Sequence, residues 1–229
     1  MSRHPFRQVD VFSTVPHRGN PVAVVHDADD LSTADMQRFA HWTNLSETTF
    51  LVAPRDPAAD YRLRIFTPAE ELPFAGHPTL GSAHAWLEAG GVPAAAGELV
   101  QECGAGLVRL RLGERLAFAA PPLVRAGPGT AEEVTAVLAA LRLDAAEVVA
   151  SAWVDNGPGW FGVVLRDASA VLALEPDWAA FDGIEVGVVG RYADPAPGSR
   201  WWRCGRSAPR SAWSRTRSPA ASTRRSPSG

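Results

Sequence analysis

The sequence predicts an α+β protein in two folded halves followed by a compositionally foreign tail. Three observations carry this. Short strand-like runs alternate with helical runs that bear capping signals, a proline pair at Pro121 and Pro122 splits the series, and charge and apolar patterning change abruptly near Ser199. With 229 residues, 46% hydrophobic and 21% charged, the chain can bury a substantial core in one or two domains.

The elements follow in order. Residues 6–12 and 21–26 read as strands around the turn His17-Arg18-Gly19-Asn20. Ser32 and Asp35 form a capping box for a helix whose apolar face runs through Met36, Phe39 and Trp42. Residues 48–52 and 61–66 are strands, and in the second Tyr61, Leu63 and Ile65 alternate with Arg62 and Arg64, so one face is buried. A helix spans 79–88, with Pro78 near its first turn. Residues 99–101, 107–112 and 116–119 make a meander ending at Pro121 and Pro122, with Gly127-Pro128-Gly129 close behind. The second half opens with a helix over 131–142, capped by Thr130 and apolar at Val134, Val137, Leu138 and Leu141. Strands over 147–154, 160–165 and 184–189 follow.

Two residues stand out chemically. Glu47 sits beside an apolar, β-prone run (Leu45, Phe50, Leu51, Val52), where burial would raise a carboxyl pKa towards the range useful for proton transfer. The alternative is a solvated or capping glutamate at the head of a strand. His77 stands at the start of a helix, where backbone N–H groups and partial positive charge suit a substrate carboxylate and the imidazole supplies a donor or acceptor. Gly76 beside it permits close backbone approach. A capping or packed histidine is the alternative.

The phrases DVFSTVPHRGNPVAVV, NLSETTF and RIFTPAEELPFAGHPTLGSAH closely resemble the PhzF-like, phenazine-biosynthesis family of the diaminopimelate-epimerase-like superfamily. The likeness covers roughly residues 6–190 and is densest before residue 90. The resemblance implies two pseudo-symmetric domains, each a mixed, mainly antiparallel sheet curled around a central helix, with the site in the cleft between them. Residues 1–121 form the first domain, 122–198 part of the second, and 199–229 the tail. It further implies a cofactor-free isomerase acting on a small carboxylate-bearing metabolite. Glu47 moves the proton, His77 assists, Ser46 and Gly76 line the substrate site, and the protein is a homodimer. The family also carries a later motif, an acidic residue followed by Pro or Ala and then Thr-Gly-Ser, leading into the second central helix. This chain lacks that motif, so impaired activity and an exposed sheet face in the second half are expected. The rival readings are an inactive remnant or binding protein, and a racemase or epimerase with paired cysteines, for which Cys103 has no partner motif.

From Ser199 the chain has eight Arg and neither Asp nor Glu, a composition not expected to fold. One reading is a basic extension that touches nucleic acid. Another is a shifted reading frame. The chain has no lysine but 22 arginines, which suggests a GC-rich gene. Regrouping GC-favouring codons for residues 201–222 gives a run containing Glu-Asp-Pro-Val-Thr-Gly-Ser, the absent motif. The adjacent Trp201 and Trp202 force a Val codon in that frame whatever codons are chosen elsewhere. The frameshift then falls between about residues 195 and 201.

Charge and composition narrow the remaining classes. Without the tail's arginines, the first 198 residues hold 14 basic and 25 acidic residues, a net charge of −11, which argues against a nucleic-acid partner. The N-terminus lacks an apolar signal segment and no run of about 18 apolar residues is present, so a cytoplasmic protein without a membrane partner is expected. Cys103 and Cys204 are too few for a disulfide framework. No zinc-ligand spacing, P-loop or dinucleotide fingerprint is found, and no metal or cofactor is expected.

Overall fold

The computed structural model describes residues 3–156, 159–181 and 184–193, together with the backbone of 202–207. Its strands are β1 (Phe6–Val11), β2 (Asn20–Val25), β3 (Glu47–Val52), β4 (Tyr61–Phe66), β5 (Glu71–Leu72), β6 (Glu98–Cys103), β7 (Gly106–Arg111), β8 (Ala117–Phe118), β9 (Arg125–Gly127), β10 (Val148–Asp155), β11 (Trp160–Leu165), β12 (Glu185–Arg191) and β13 (Trp202–Ser207). Its α-helices are α1 (Thr33–Thr43), α2 (Gly76–Glu88), α3 (Ala131–Leu141) and α4 (Ala168–Ala173). The α+β class and the two mixed sheets agree with the sequence reading.

The first sheet runs β1-β2-β3-β4-β6-β7-β8, with β5 beside β4. Strands β2 and β3 are parallel, and α1 is the crossover between them. Ser32 caps α1 by accepting from the Asp35 N–H, while the Asp35 carboxylate turns onto the Ser32 hydroxyl. Every residue of β3 is buried because helices cover both faces of the sheet. Phe50 and Val52 pack with Met36 and Ala40 on the α1 side, and Leu51 joins Val22, Leu63, Ile65, Ala83 and Ala85 on the α2 side. The alternation foreseen in β4 holds, since Tyr61, Leu63 and Ile65 are buried towards α2.

The second sheet has the order β13-β12-β11-β10-β9. Its first part repeats the path of the first sheet: β10 and β11 are antiparallel, β11 and β12 are parallel across α4, and β12 pairs antiparallel with β13. Helix α3 carries a complete capping box between Thr130 and Glu133. One sheet face and the helices share a core of Val137, Leu141, Phe161, Val163, Val186 and Val188.

The opposite face presents Ala150, Ala152, Trp160, Gly162, Gly187 and Val189 to an open, apolar trough of about 510 Å³. It corresponds to the side of the first sheet occupied by α2. Among the described residues no helix lies there.

The sequence reading differs from the structure at several points. Helix α2 begins at Gly76 rather than Thr79, because Pro at the third helical position needs no hydrogen-bonded N–H. Residues 202–207, expected to lack regular structure, form β13. Strand addition requires only backbone donors and acceptors, which the edge of β12 supplies. The rest of 199–229 and the regrouped motif lie outside the described residues.

Candidate active site

Alternation along β3 decides where Glu47 points. Thr48, Phe50 and Val52 face α1, and Thr48 shares a hydrogen bond with Thr43 there. Glu47, Thr49 and Leu51 therefore face α2. That helix is held close by its composition. At Gly81 an added Cβ would lie 2.4 Å from Val22 and 2.9 Å from Val11, so only glycine permits this approach. Buried polar side chains then fix the helix along its length. Ser82 and Thr49 share a 2.8 Å hydrogen bond, and the Gln101 amide donates to Thr79 at 3.1 Å while accepting from the Tyr61 hydroxyl at 3.1 Å. Burial pushes the Tyr61 phenol up, so it remains a neutral donor.

This anchoring sets His77, the second residue of α2, against Glu47. His77 Nδ1 lies 2.8 Å from Glu47 Oε2, and His77 Nε2 lies 2.9 Å from the backbone carbonyl oxygen of Asn20. Both side chains are buried, at 9% and 3% exposure. A carbonyl can only accept, so Nε2 carries a proton. The tautomer follows from that contact. With Nε2 protonated, the Nδ1–Oε2 contact is attractive only if one proton lies between those atoms. The pair is either neutral imidazole with carboxylic acid or imidazolium with carboxylate. Glu47 and His77 thus share one proton between two buried side chains.

The sequence candidates fall into place unevenly. Glu47 and His77, 30 residues apart in sequence, come into direct contact. Ser46 is partly buried and immediately precedes Glu47 as the chain enters β3. Gly76 is the first residue of α2, and an added Cβ there would lie 2.7 Å from the ring of Phe118. Its small size is therefore demanded by packing against β8. The N-cap residue Ala75 makes no side-chain cap, and the first turn itself carries no acidic residue. Cys103 is buried in the first core, where burial raises its thiol pKa, an environment unlike that of a cysteine acid/base. Among the described residues no group of three metal-ligating side chains converges, and no helix is long and apolar enough to cross a membrane.

Sequence reasoning missed the Asn20 carbonyl, because it is a backbone group whose direction depends on the β1–β2 pairing. It also missed α4, β5 and β9. The helix had a usable signal: Asp167 caps it by accepting from Ala170, and parallel β11 and β12 require a crossover.

Residues 9–211 match the family described as phenazine biosynthesis-like protein, PhzC-PhzF. The chain is 43% identical over 192 residues to the Schizosaccharomyces pombe protein named antisense-enhancing sequence 1, covering 80% of this chain and 65% of that protein. It is 58% identical over 80 residues to trans-2,3-dihydro-3-hydroxyanthranilate isomerase of Pseudomonas fluorescens, covering 35% of this chain and 28% of that enzyme. The chain thus spans less than two thirds of either protein's length. An uncharacterized isomerase of Pseudomonas aeruginosa is 35% identical over 206 residues, covering 84% of this chain and 74% of that protein. Among solved structures, the Enterococcus faecalis phenazine biosynthesis protein of the PhzF family superposes with a TM-score of 0.67 at 26% identity, covering 90% of this chain and 74% of that one. The Bacillus anthracis PhzF-family protein shares the fold at a TM-score of 0.69 and 20% identity, covering 90% and 72%. Strand order, the buried pair under α2 and these matches converge, and the chain belongs to the phenazine biosynthesis-like, PhzF family.

Proposed function

We propose that the chain derives from a cofactor-independent isomerase that shifts a proton within a small, carboxylate-bearing metabolite, with Glu47 as the acid/base and His77 as its partner. The observation that carries this is the buried Glu47–His77 contact of 2.8 Å, with the far side of the imidazole tied to Asn20. In the ion-pair form, imidazolium stabilises the Glu47 carboxylate, which takes a proton from one substrate carbon and returns it to another. Ser46 lines the site, and the uncapped start of α2 at Gly76 receives the substrate carboxylate. The family's paired chains, and a solution location in the cytoplasm, belong to the same proposal.

The named isomerase relative supplies a trial substrate, trans-2,3-dihydro-3-hydroxyanthranilate. In deuterium oxide, the protein should place solvent deuterium into it, and Glu47→Gln, which keeps the shape and a donor towards His77, should lower that rate by about 10²–10⁴-fold. Equal rates in the two proteins would remove Glu47 from the chemistry.

A second observation favours reduced activity in this chain. The second sheet's trough lies open where the repeat of the fold calls for a helix. We infer that residues 199–229 are read out of the ancestral frame and that the acid and serine of the second motif are lost with it. Accurate sequencing of the gene across the codons of residues 190–229 tests this. A base change that restores Glu-Asp-Pro-Val-Thr-Gly-Ser supports the inference, and absence of that run from every frame overturns it.

A further inference from the structure

The connection between β1 and β2 holds a residue that serves the core poorly. Phe12 adopts φ 68°, in the left-handed region that bulky side chains avoid. The residue is nevertheless 49% exposed, so burial offsets the unfavourable backbone only in part. What the conformation accomplishes is to bring the Phe12 ring to 6.0 Å from that of His77, with the planes tilted by 43°. The other end of the same connection also reaches His77, since Val11 pairs with Asn20 and the Asn20 carbonyl accepts from Nε2. One end thus fixes the imidazole and the other places an exposed aromatic surface beside it. Backbone strain of this kind, held by ordered structure on both sides, marks functional positions.

We propose that Phe12 is a substrate-contacting residue that forms the apolar wall of the Glu47–His77 site and selects flat, unsaturated ring carboxylates over puckered saturated ones. The proposal rests on the location of the active site argued above. A flat ring stacks against the exposed phenyl face, while its carboxylate lies towards the start of α2. A saturated ring of the same size offers no matching face and gains less from the wall.

The test separates this role from packing and from the proton-shift reading. Anthranilate, a fluorescent planar carboxylate, and cyclohexanecarboxylate are titrated against the full chain and against Phe12→Gly, Phe12→Leu and Phe12→Tyr. Phe12→Gly should weaken anthranilate binding about tenfold, the fold-change expected for loss of one aromatic contact. It should change cyclohexanecarboxylate binding much less, and its thermal midpoint should hold or rise because glycine accepts this φ. Phe12→Tyr should bind anthranilate within about twofold of the parent, and Phe12→Leu should resemble Phe12→Gly. Failure of anthranilate to bind the parent, equal binding by all four proteins, or a lower thermal midpoint with unchanged binding would each overturn the proposal. If ring-dependent binding is seen but solvent deuterium never enters a substrate, the proton-shift reading fails and the Phe12 wall stands. If deuterium enters and Phe12 is indifferent, the reverse holds.

Discussion

Both halves of the molecule lay down the same path, an antiparallel pair followed by a parallel pair across a helix, yet they finish differently. In the first, α2 drops onto the remaining face, and small residues at Gly81, Ser82, Ala83 and Ala85 let it sit close enough to bring His77 against Glu47. In the second, the equivalent face is lined by Ala150, Ala152, Gly162, Gly187 and Val189 and carries no helix among the described residues. The contrast shows that the path of the strands is separable from the helix that completes it. A buried Glu–His pair arises here only where that helix is present.

The largest difference should be in stability. Burying the apolar surface of a few large side chains contributes several kcal/mol at about 25 cal/mol per Å², comparable to the net stability of a domain. Thermal or urea unfolding of the chain should therefore show two transitions. Hydrogen exchange should be fast at low denaturant in β10–β12 and slow in β2–β4. A single cooperative transition with uniform protection would break the comparison, because it would mean that something covers the trough in solution.

A smaller effect sharpens the same contrast at single residues. Gly81→Ala places a methyl 2.4 Å from Val22, and overpacking of this kind should cost about 1–3 kcal/mol and loosen the Glu47–His77 contact. At Gly187 an added Cβ meets, among the described residues, only the Trp160 ring, at 3.7 Å. Gly187→Ala should therefore be neutral or stabilising by about 0.4–1 kcal/mol, through reduced freedom of the unfolded chain. Urea midpoints of the two variants check both signs. If Gly187→Ala costs as much as Gly81→Ala, the second face is filled after all.

Much of the first half was legible because its signals are local. The alternation of Tyr61, Leu63 and Ile65 gave the buried face of β4, and the apolar run around Glu47 gave a buried carboxylate. Glu47 and His77 could each be singled out by type and neighbourhood. Their contact could not, since it depends on the parity of β3 and on how closely α2 approaches. For Gly76 the sequence suggested close backbone approach, but it could not show that Phe118 crowds the same position, a residue 42 positions away that pairing between β7 and β8 brings over the helix. Phe12 carries no sequence signal at all, because a left-handed φ at phenylalanine is imposed by the turn and opposed by the residue itself. Strand β13 was missed for a related reason: its pairing belongs to the open edge of β12 and to backbone groups that every sequence has.

The smallest expected effect concerns the cap of α3, the longer of the two α-helices described in the second half. Glu133 accepts from the Thr130 N–H at 2.9 Å, from the Trp153 indole at 3.1 Å and from Arg125 at 2.7 Å. Foremost the Thr130 hydrogen bond, then those from Trp153 and Arg125, hold its carboxyl down at about 2, against an ordinary value of 4.5. A folded-state value below the unfolded one means that the unfolded chain takes up the proton first. The contribution is complete above about pH 4.5 and is lost as pH falls towards 2. Because the group is partly open to solvent, screening keeps the effect modest. The transition assigned to the second half should consequently drop in midpoint over that window more steeply than in Glu133→Gln, in which the titrating group is gone. The first-half transition should show the same acid profile in both proteins. If Glu133→Gln shifts both transitions equally, the two halves unfold as one body and the separation drawn between them fails.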